Sequence, residues 1–139
     1  MFSIINTIRD YKELKYLAYH DSLTGLLNRN WLYKNINKID KEWVFFIDIN
    51  DLHEINKKGH TFGDEYIKEA IKSILVLKDE FLVRYAGDEF ILFTNRRNAI
   101  FNNSYYTIGV AELTDDMFES INKADSKMLE AKLVRKTLK

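Results

Sequence analysis

Three carboxylates carry the chemical signal of this chain. Asp48 ends the apolar run EWVFFID, and Asp88 with Glu89 sits in RYAGDEFILF, between the apolar runs FLV and FILF. An Asp in a turn is ordinarily a solvated turn residue. Three acids at the ends of neighbouring apolar strands are different. Like charges packed together raise one another's pKa unless a cation neutralises them. Carboxylate oxygens suit magnesium, which is usually held by one or two acids plus substrate phosphates. Two such ions close together can assist in-line displacement at phosphorus. The residues alone leave both readings open. Gly87, just before the pair, allows either a positive φ or a close approach of backbone to a ligand. Ala86 fits beside it without strain only at negative φ.

The elements that must position these acids follow from pattern. Residues 2–19 read as a helix, with Ile4, Ile8, Tyr11, Leu14 and Ala18 at steps of three and four. That stripe could pack on its own domain or on a partner helix. Turn and cap residues Asp21, Ser22, Gly25 and Asn28 precede a helix from Arg29 to Ile39. Glu42–Asp48 is short, aromatic and β-branched, so a buried strand. A polar loop with a possible helical turn leads to an amphipathic helix over 62–77. Strands follow at 81–85, 89–94 and 105–112, and Thr114 or Asp115 caps a last helix to about 134. The order implies an α/β sandwich, a mixed sheet covered by helices.

Composition bounds the function. The 139 residues fit one domain able to bury a core. Hydrophobic residues are 46%, charged residues 30%, and the formal net charge is zero. No bulk basic field exists to steer nucleic acid. The absence of cysteine removes disulfides and thiol chemistry. No apolar run approaches the ~18 residues of a membrane span, and the start lacks a signal peptide's features. A cytoplasmic protein with no nucleic-acid or membrane partner is expected.

Four blocks resemble the GGDEF domains, the diguanylate cyclases: DSLTGLLNR (21–29), FIDINDLHEIN with GHTFGDEYI (46–67), AGDEF (86–90), and TIGVAE followed by ADSKMLEAK (107–132). The resemblance runs from about residue 18 to 135 in the family's order. It implies a palm/cyclase-like fold with a ferredoxin-like core, in which a mixed, mainly antiparallel sheet is flanked by helices. It divides the chain into an N-terminal helix, 1–19, a candidate dimerisation element, and a catalytic domain, 20–139.

By position, the resemblance gives Asp48, Asp88 and the Ile49 backbone carbonyl two Mg²⁺ or Mn²⁺ ions per active site. Glu89 supports that site or helps deprotonate a ribose hydroxyl. Asn56 and Asp64 would read a guanine edge, with Gly87 and His53 also at the substrate. Lys132 would grip the triphosphate, with Arg135 or Lys136 as a second basic contact. Asn28 and Arg29 fall in a mostly structural motif. The implied reaction condenses two GTP into cyclic di-GMP across a homodimer, releasing pyrophosphate.

The chain departs from the family pattern at Ala86 for glycine and Asn50 for a second Asp. His53 stands where lysine is common, in a loop one residue shorter than usual. The connection from Thr94 to Tyr105 spans ten residues, without the family's long helix, so part of one sheet face would need another cover. The family's product-inhibition Arg and Asp would fall on Leu77 and Glu80, so feedback there is not expected. Two alternatives follow: a related palm-type cyclase using another NTP, such as an adenine one, for a cyclic or linear oligonucleotide, or a degenerate module binding GTP or a partner without turnover.

Overall fold

The computed structural model describes residues 4–138. In chain order the elements are α1 (Ile4–Tyr19), β1 (Leu27–Asn28), α2 (Arg29–Asn35), β2 (Trp43–Ile49), α3 (Leu52–Asn56) and α4 (His60–Lys72). They continue with β3 (Phe81–Arg84), β4 (Glu89–Thr94), β5 (Tyr106–Glu112) and α5 (Met117–Thr137). The strands form one mixed sheet in the order β1-β3-β4-β2-β5. Only the β1–β3 pair is parallel.

The apolar runs of β2 and β4 are continuous because helices cover both sheet faces, so all but the first residue of each is buried. On one face Phe45, Ile47, Phe90 and Leu92 pack under α3 and α4. On the other, Val44, Phe46, Ile91 and Phe93 meet Leu32 of α2 and Ile121, Ala124 and Met128 of α5. Each such large side chain contributes about 1.5–3 kcal/mol through burial.

Several expectations are corrected. The start of the first helix, residues 2 and 3, lies outside the described residues. The helix expected over 29–39 ends at Asn35 and passes into a 3₁₀ turn, Ile36–Lys38. The one expected over 62–77 starts at His60 and stops at Lys72. Ser73 closes it, its Oγ donating to the Ala70 carbonyl at 2.6 Å. Ile74 stays buried after leaving the helix. Neither Thr114 nor Asp115 caps α5. The cap is Asp116, whose carboxylate accepts from Glu119 N at 3.1 Å, while Thr114 N donates to Ser120 Oγ. The short parallel strand β1 was not anticipated.

The connection between β4 and β5 contains no helix. α1 does not take its place: it touches α2 and buries no residue. The connection covers its own gap instead. Ile100 inserts beside Ile74 and Tyr106, at 5% exposure. Asn102 accepts from Ile108 N at 2.6 Å, and Asn103 accepts from Tyr105 N and Tyr106 N. These side chains occupy backbone groups of an edge strand that would otherwise template pairing.

Glu80 locks the far end of the sheet. Its carboxylate accepts from Leu77 N at 2.8 Å, from Arg96 Nε at 2.7 Å and Nη2 at 2.5 Å, and from the Thr94 hydroxyl. Burial pushes the Glu80 pKa up, but Arg96, Thr94 and the Leu77 amide outweigh it and bring it to about 2. The folded value lies below the unfolded one, so its stabilisation is present above about 4.5 and lost as pH falls toward 2. Glu80→Gln is expected to cost about 2–3 kcal/mol at neutral pH. It should also flatten the acid limb of a stability–pH curve measured by urea unfolding.

Candidate active site

The signature turn is held from outside. Within it, Tyr85 N and Ala86 N donate to the Glu89 carbonyl at 2.8 and 3.2 Å. Arg84 Nη2 donates to the Gly87 carbonyl at 2.8 Å, and its Nη1 reaches both Asp21 carboxylate oxygens at 3.0–3.1 Å. Thr24 N and Oγ1 hold Asp21 in place at 2.9 and 2.7 Å. Burial raises the Asp21 pKa, yet Thr24 and Arg84 together bring it below the ordinary value. Among the described residues, positive φ occurs only at Asp51, Gly25 and Gly59. The Ala86 methyl is therefore unstrained. Gly87 needs no special φ, and a Cβ built on it meets open space.

β2 and β4 set the acids side by side, with Asp48 directly opposite Glu89 in register. Ile49 N donates to the Asp88 carbonyl at 2.8 Å, joining the two chain segments. The Asp48 side chain is 5% exposed and pairs with Lys132 of α5. Burial, with Asp88 and Asp125 adding to it, pushes the Asp48 pKa up, and Lys132 offsets only part of this. Glu89 is also pushed up, first by burial, then by Asp88, Asp125 and Asp48, while Arg29 opposes. The Arg29 guanidinium lies 4.1 Å from the Tyr85 ring centroid, so it contributes to this field as well as to the turn.

Asp125, raised by its own burial, is an acid that sequence reasoning passed over. It lies in the quoted ADSKMLEAK block, seven residues before Lys132 and so on the same helical face.

The excess of buried negative charge, already met by one ammonium, fits a cation, and carboxylate and carbonyl oxygens suit Mg²⁺ or Mn²⁺. Among the described residues, no three Asp, Glu or His side chains are gathered closely enough to hold an ion as they stand.

Two cavities meet at this point. One, of about 320 Å³, is lined by His53, Asn56, Asp64, Arg84, Gly87 and Asp88. The other, of about 290 Å³, is lined by Asp51, Asp88, Lys132, Arg135 and Lys136, with Ile49 behind them. Leu52, His53 and Asp88 border both. The first offers amide and carboxylate edges, as a nucleobase requires. The second offers cations, as phosphates require. His60 also lines the first cavity and was not assigned from sequence. Asp51, with φ 62°, holds Arg135 Nη2 at 3.0 Å.

Asn50 borders the second cavity, but its side chain is tied to β5 and the segment before it. Its amide donates to the Asn103 and Ser104 carbonyls at 3.4 Å, and its oxygen accepts from Thr107 at 2.7 Å. A carboxylate has no donor for those two carbonyls, which accounts for an amide here.

Gly63 decides where Asn56 lies. A Cβ at Gly63 would fall 1.8 Å from Asn56 Oδ1. Gly63→Ala is therefore expected to push the amide out of place; if this cavity takes a nucleotide, its binding should weaken by about tenfold, the equivalent of ~1.4 kcal/mol. The loss should appear in KM more than in kcat, with the melting temperature little changed.

The family description "Diguanylate cyclase, GGDEF domain" matches residues 18–102. The chain is 36% identical over 98 residues to the signaling protein YkoW of Bacillus subtilis, covering 63% of this chain and 12% of that protein. It is 36% identical over 93 residues to the cyclic di-GMP phosphodiesterase PdeR of Escherichia coli, covering 60% and 14%. The chain thus spans about an eighth of the length of these relatives. Among solved structures, the coiled coil and GGDEF domain of DgcB from Caulobacter crescentus, in complex with c-di-GMP, superposes with a TM-score of 0.76. That match has 18% identity and covers 92% of this chain and 88% of that one. Diguanylate cyclase SiaD from Pseudomonas aeruginosa, in complex with its activator SiaC, gives 0.69 at 22% identity, covering 93% and 64%. At these identities the structural likeness speaks to fold.

Proposed function

Since the chain belongs to the GGDEF domain family, whose members are tied to cyclic di-GMP, we propose that it condenses two GTP molecules into cyclic di-GMP and two pyrophosphates. The carrying observation is the meeting of a base-type cavity and a phosphate-type cavity at Asp88, beside Asp48 and Glu89. In this reading the Asp64 carboxylate accepts from the guanine N–H groups and the Asn56 amide pairs its remaining edge groups. Lys132, Arg135 and Lys136 draw the triphosphate into the second cavity. Each ribose 3′-hydroxyl attacks the α-phosphate of the opposite nucleotide, a P–O bond to pyrophosphate breaks, and the hydroxyl proton leaves by way of Glu89 or solvent.

Asp48, Asp88 and the Ile49 carbonyl would hold Mg²⁺ or Mn²⁺, whose chemistry is to neutralise phosphate charge and lower the hydroxyl pKa. One domain carries one nucleotide, so ring closure needs two copies. The exposed stripe Ile4, Ile8, Tyr11 and Leu14 of α1 is the surface assigned to that pairing, with residues 20–139 as the catalytic part.

The expected result is pyrophosphate release from GTP with Mg²⁺ or Mn²⁺, rising with the square of protein concentration while the dimer is dilute. The product should have the mass of cyclic di-GMP. No pyrophosphate at any concentration would refute catalysis. Competition among the four NTPs checks the base, and preferential ATP use would point to an adenine-containing product instead. A second reading, nucleotide binding without turnover, is favoured by the Lys132 ammonium that already occupies the Asp48 carboxylate. Tight GTP binding with no product would establish it.

A further inference from the structure

Two of the three named phosphate cations are engaged with acids. Lys132 Nζ pairs with Asp48 Oδ2, and Arg135 Nη2 donates to Asp51 Oδ2 at 3.0 Å. The Lys132 pair is asymmetric: the Asp48 side chain is 5% exposed and that of Lys132 is 32% exposed. The carboxylate is sealed and the ammonium is its lid. Lys132 opens onto the cavity of about 290 Å³ that it shares with Arg135, Lys136 and Asp88. Its flexible four-carbon stem lets the ammonium swing into that cavity while the helix stays in place. Asp48 is also the most deeply buried carboxylate on the edge where Asp88 and Ile49 meet. An ammonium and a divalent cation at the same carboxylate would repel each other at contact distance.

The geometry points to Lys132 as a guard on Asp48. The lysine holds the carboxylate as an ion pair until nucleotide phosphates draw the ammonium into the cavity. Nucleotide and divalent cation therefore bind with positive coupling, each removing one partner of the pair from the other's way. This rests on the nucleotide reading above. It makes an ion-free Asp48 stable without nucleotide, and it limits capture of stray cations by the empty domain.

The exchange can be tested in two halves, neither needing turnover. In the first, Mn²⁺ alone is titrated against the full chain and free Mn²⁺ is read by electron paramagnetic resonance. Lys132→Met, which keeps length and apolar stem, should bind Mn²⁺ at least about tenfold tighter than the wild type. Lys132→Arg, which keeps the charge, should stay near the wild type. In the second, GTP is titrated calorimetrically in EDTA. Asp48→Asn, which releases the ammonium, should bind GTP about tenfold tighter than the wild type. Melting curves establish that each variant is folded.

Mn²⁺ affinity of Lys132→Met within twofold of the wild type would overturn the guard, as would unchanged GTP affinity in Asp48→Asn. Either result leaves the nucleotide reading standing. GTP bound by no form, including wild type with Mn²⁺, would overturn that reading itself.

Discussion

Replacing Asp88 with Asn should lower pyrophosphate release from GTP at least ~10³-fold, the scale of losing one preorganised charge at a reacting phosphate. Asp88 borders both cavities, and its carbonyl is fixed to Ile49 N at 2.8 Å. Asparagine keeps that backbone bond and the side-chain shape while removing the charge. The substitution should not destabilise the fold. Asp88 raises the pKa of both Asp48 and Glu89, behind burial in each case. Carboxyls whose folded pKa is raised contribute stability below the unfolded pKa, and that contribution is lost as pH rises through the folded one. At neutral pH the ionised cluster therefore opposes folding, and one fewer negative charge relieves it. Expected together are a near-complete loss of product and an unchanged or higher melting temperature. A variant that loses activity because it unfolds would show a falling melting temperature and refute this account.

Gly109→Ala is expected to have the largest effect on stability. Gly109 faces α5, and a Cβ there would lie 2.0 Å from the Ala124 carbonyl oxygen and 2.2 Å from Met128 N. Both are helix backbone, which has no rotamer to change, so the helix must lift from β5. Overpacking of this kind costs about 3 kcal/mol or more, a fall in melting temperature of about 10 °C for a domain of this length. Because α5 carries Asp125, Lys132 and Arg135, residual folded protein should also bind nucleotide poorly. Gly87→Ala is the control. Its Cβ would meet open space at ordinary φ, so the melting temperature should hold. Thermal unfolding of the two variants side by side checks the contrast.

The strands were legible because their physical cause is local: a run such as VFFI or FILF has no polar face, and only a strand covered on both sides suits it. Helix ends were less so. Ile74 and Leu77 continue the spacing of α4, but Ser73 ends the helix; Ile74 is buried without being helical, and Leu77 is exposed. In the run Thr114-Asp115-Asp116 each residue can cap, and the choice falls to the one whose carboxylate meets Glu119 N. β1, two residues long, has no period to read.

At the site, pattern alone found acids at strand ends, and the motif register supplied Asn56, Asp64 and Lys132. Contacts between distant residues lay beyond both: Arg84 with Asp21, 63 residues apart, and Lys132 with Asp48, 84 apart. Asp125 was invisible for the same reason. Its place beside Asp48 and Glu89 exists only once α5 lies on β5.

The end of α1 has a rotational consequence. The Ala18 carbonyl, in the last turn where helix carbonyls lack internal partners, accepts from the side-chain amides of Asn28 at 2.9 Å and Asn30 at 3.2 Å. Two donors on one acceptor fix the azimuth of the helix against the sheet. Every residue inserted upstream of Ala18 then turns the preceding stripe by about 100°, while seven residues bring it back to within about 20°. The direction in which Ile4, Ile8 and Tyr11 point is thus counted in residues from Ala18. Two chains that meet along this stripe would have their catalytic edges set at an angle that the same count determines.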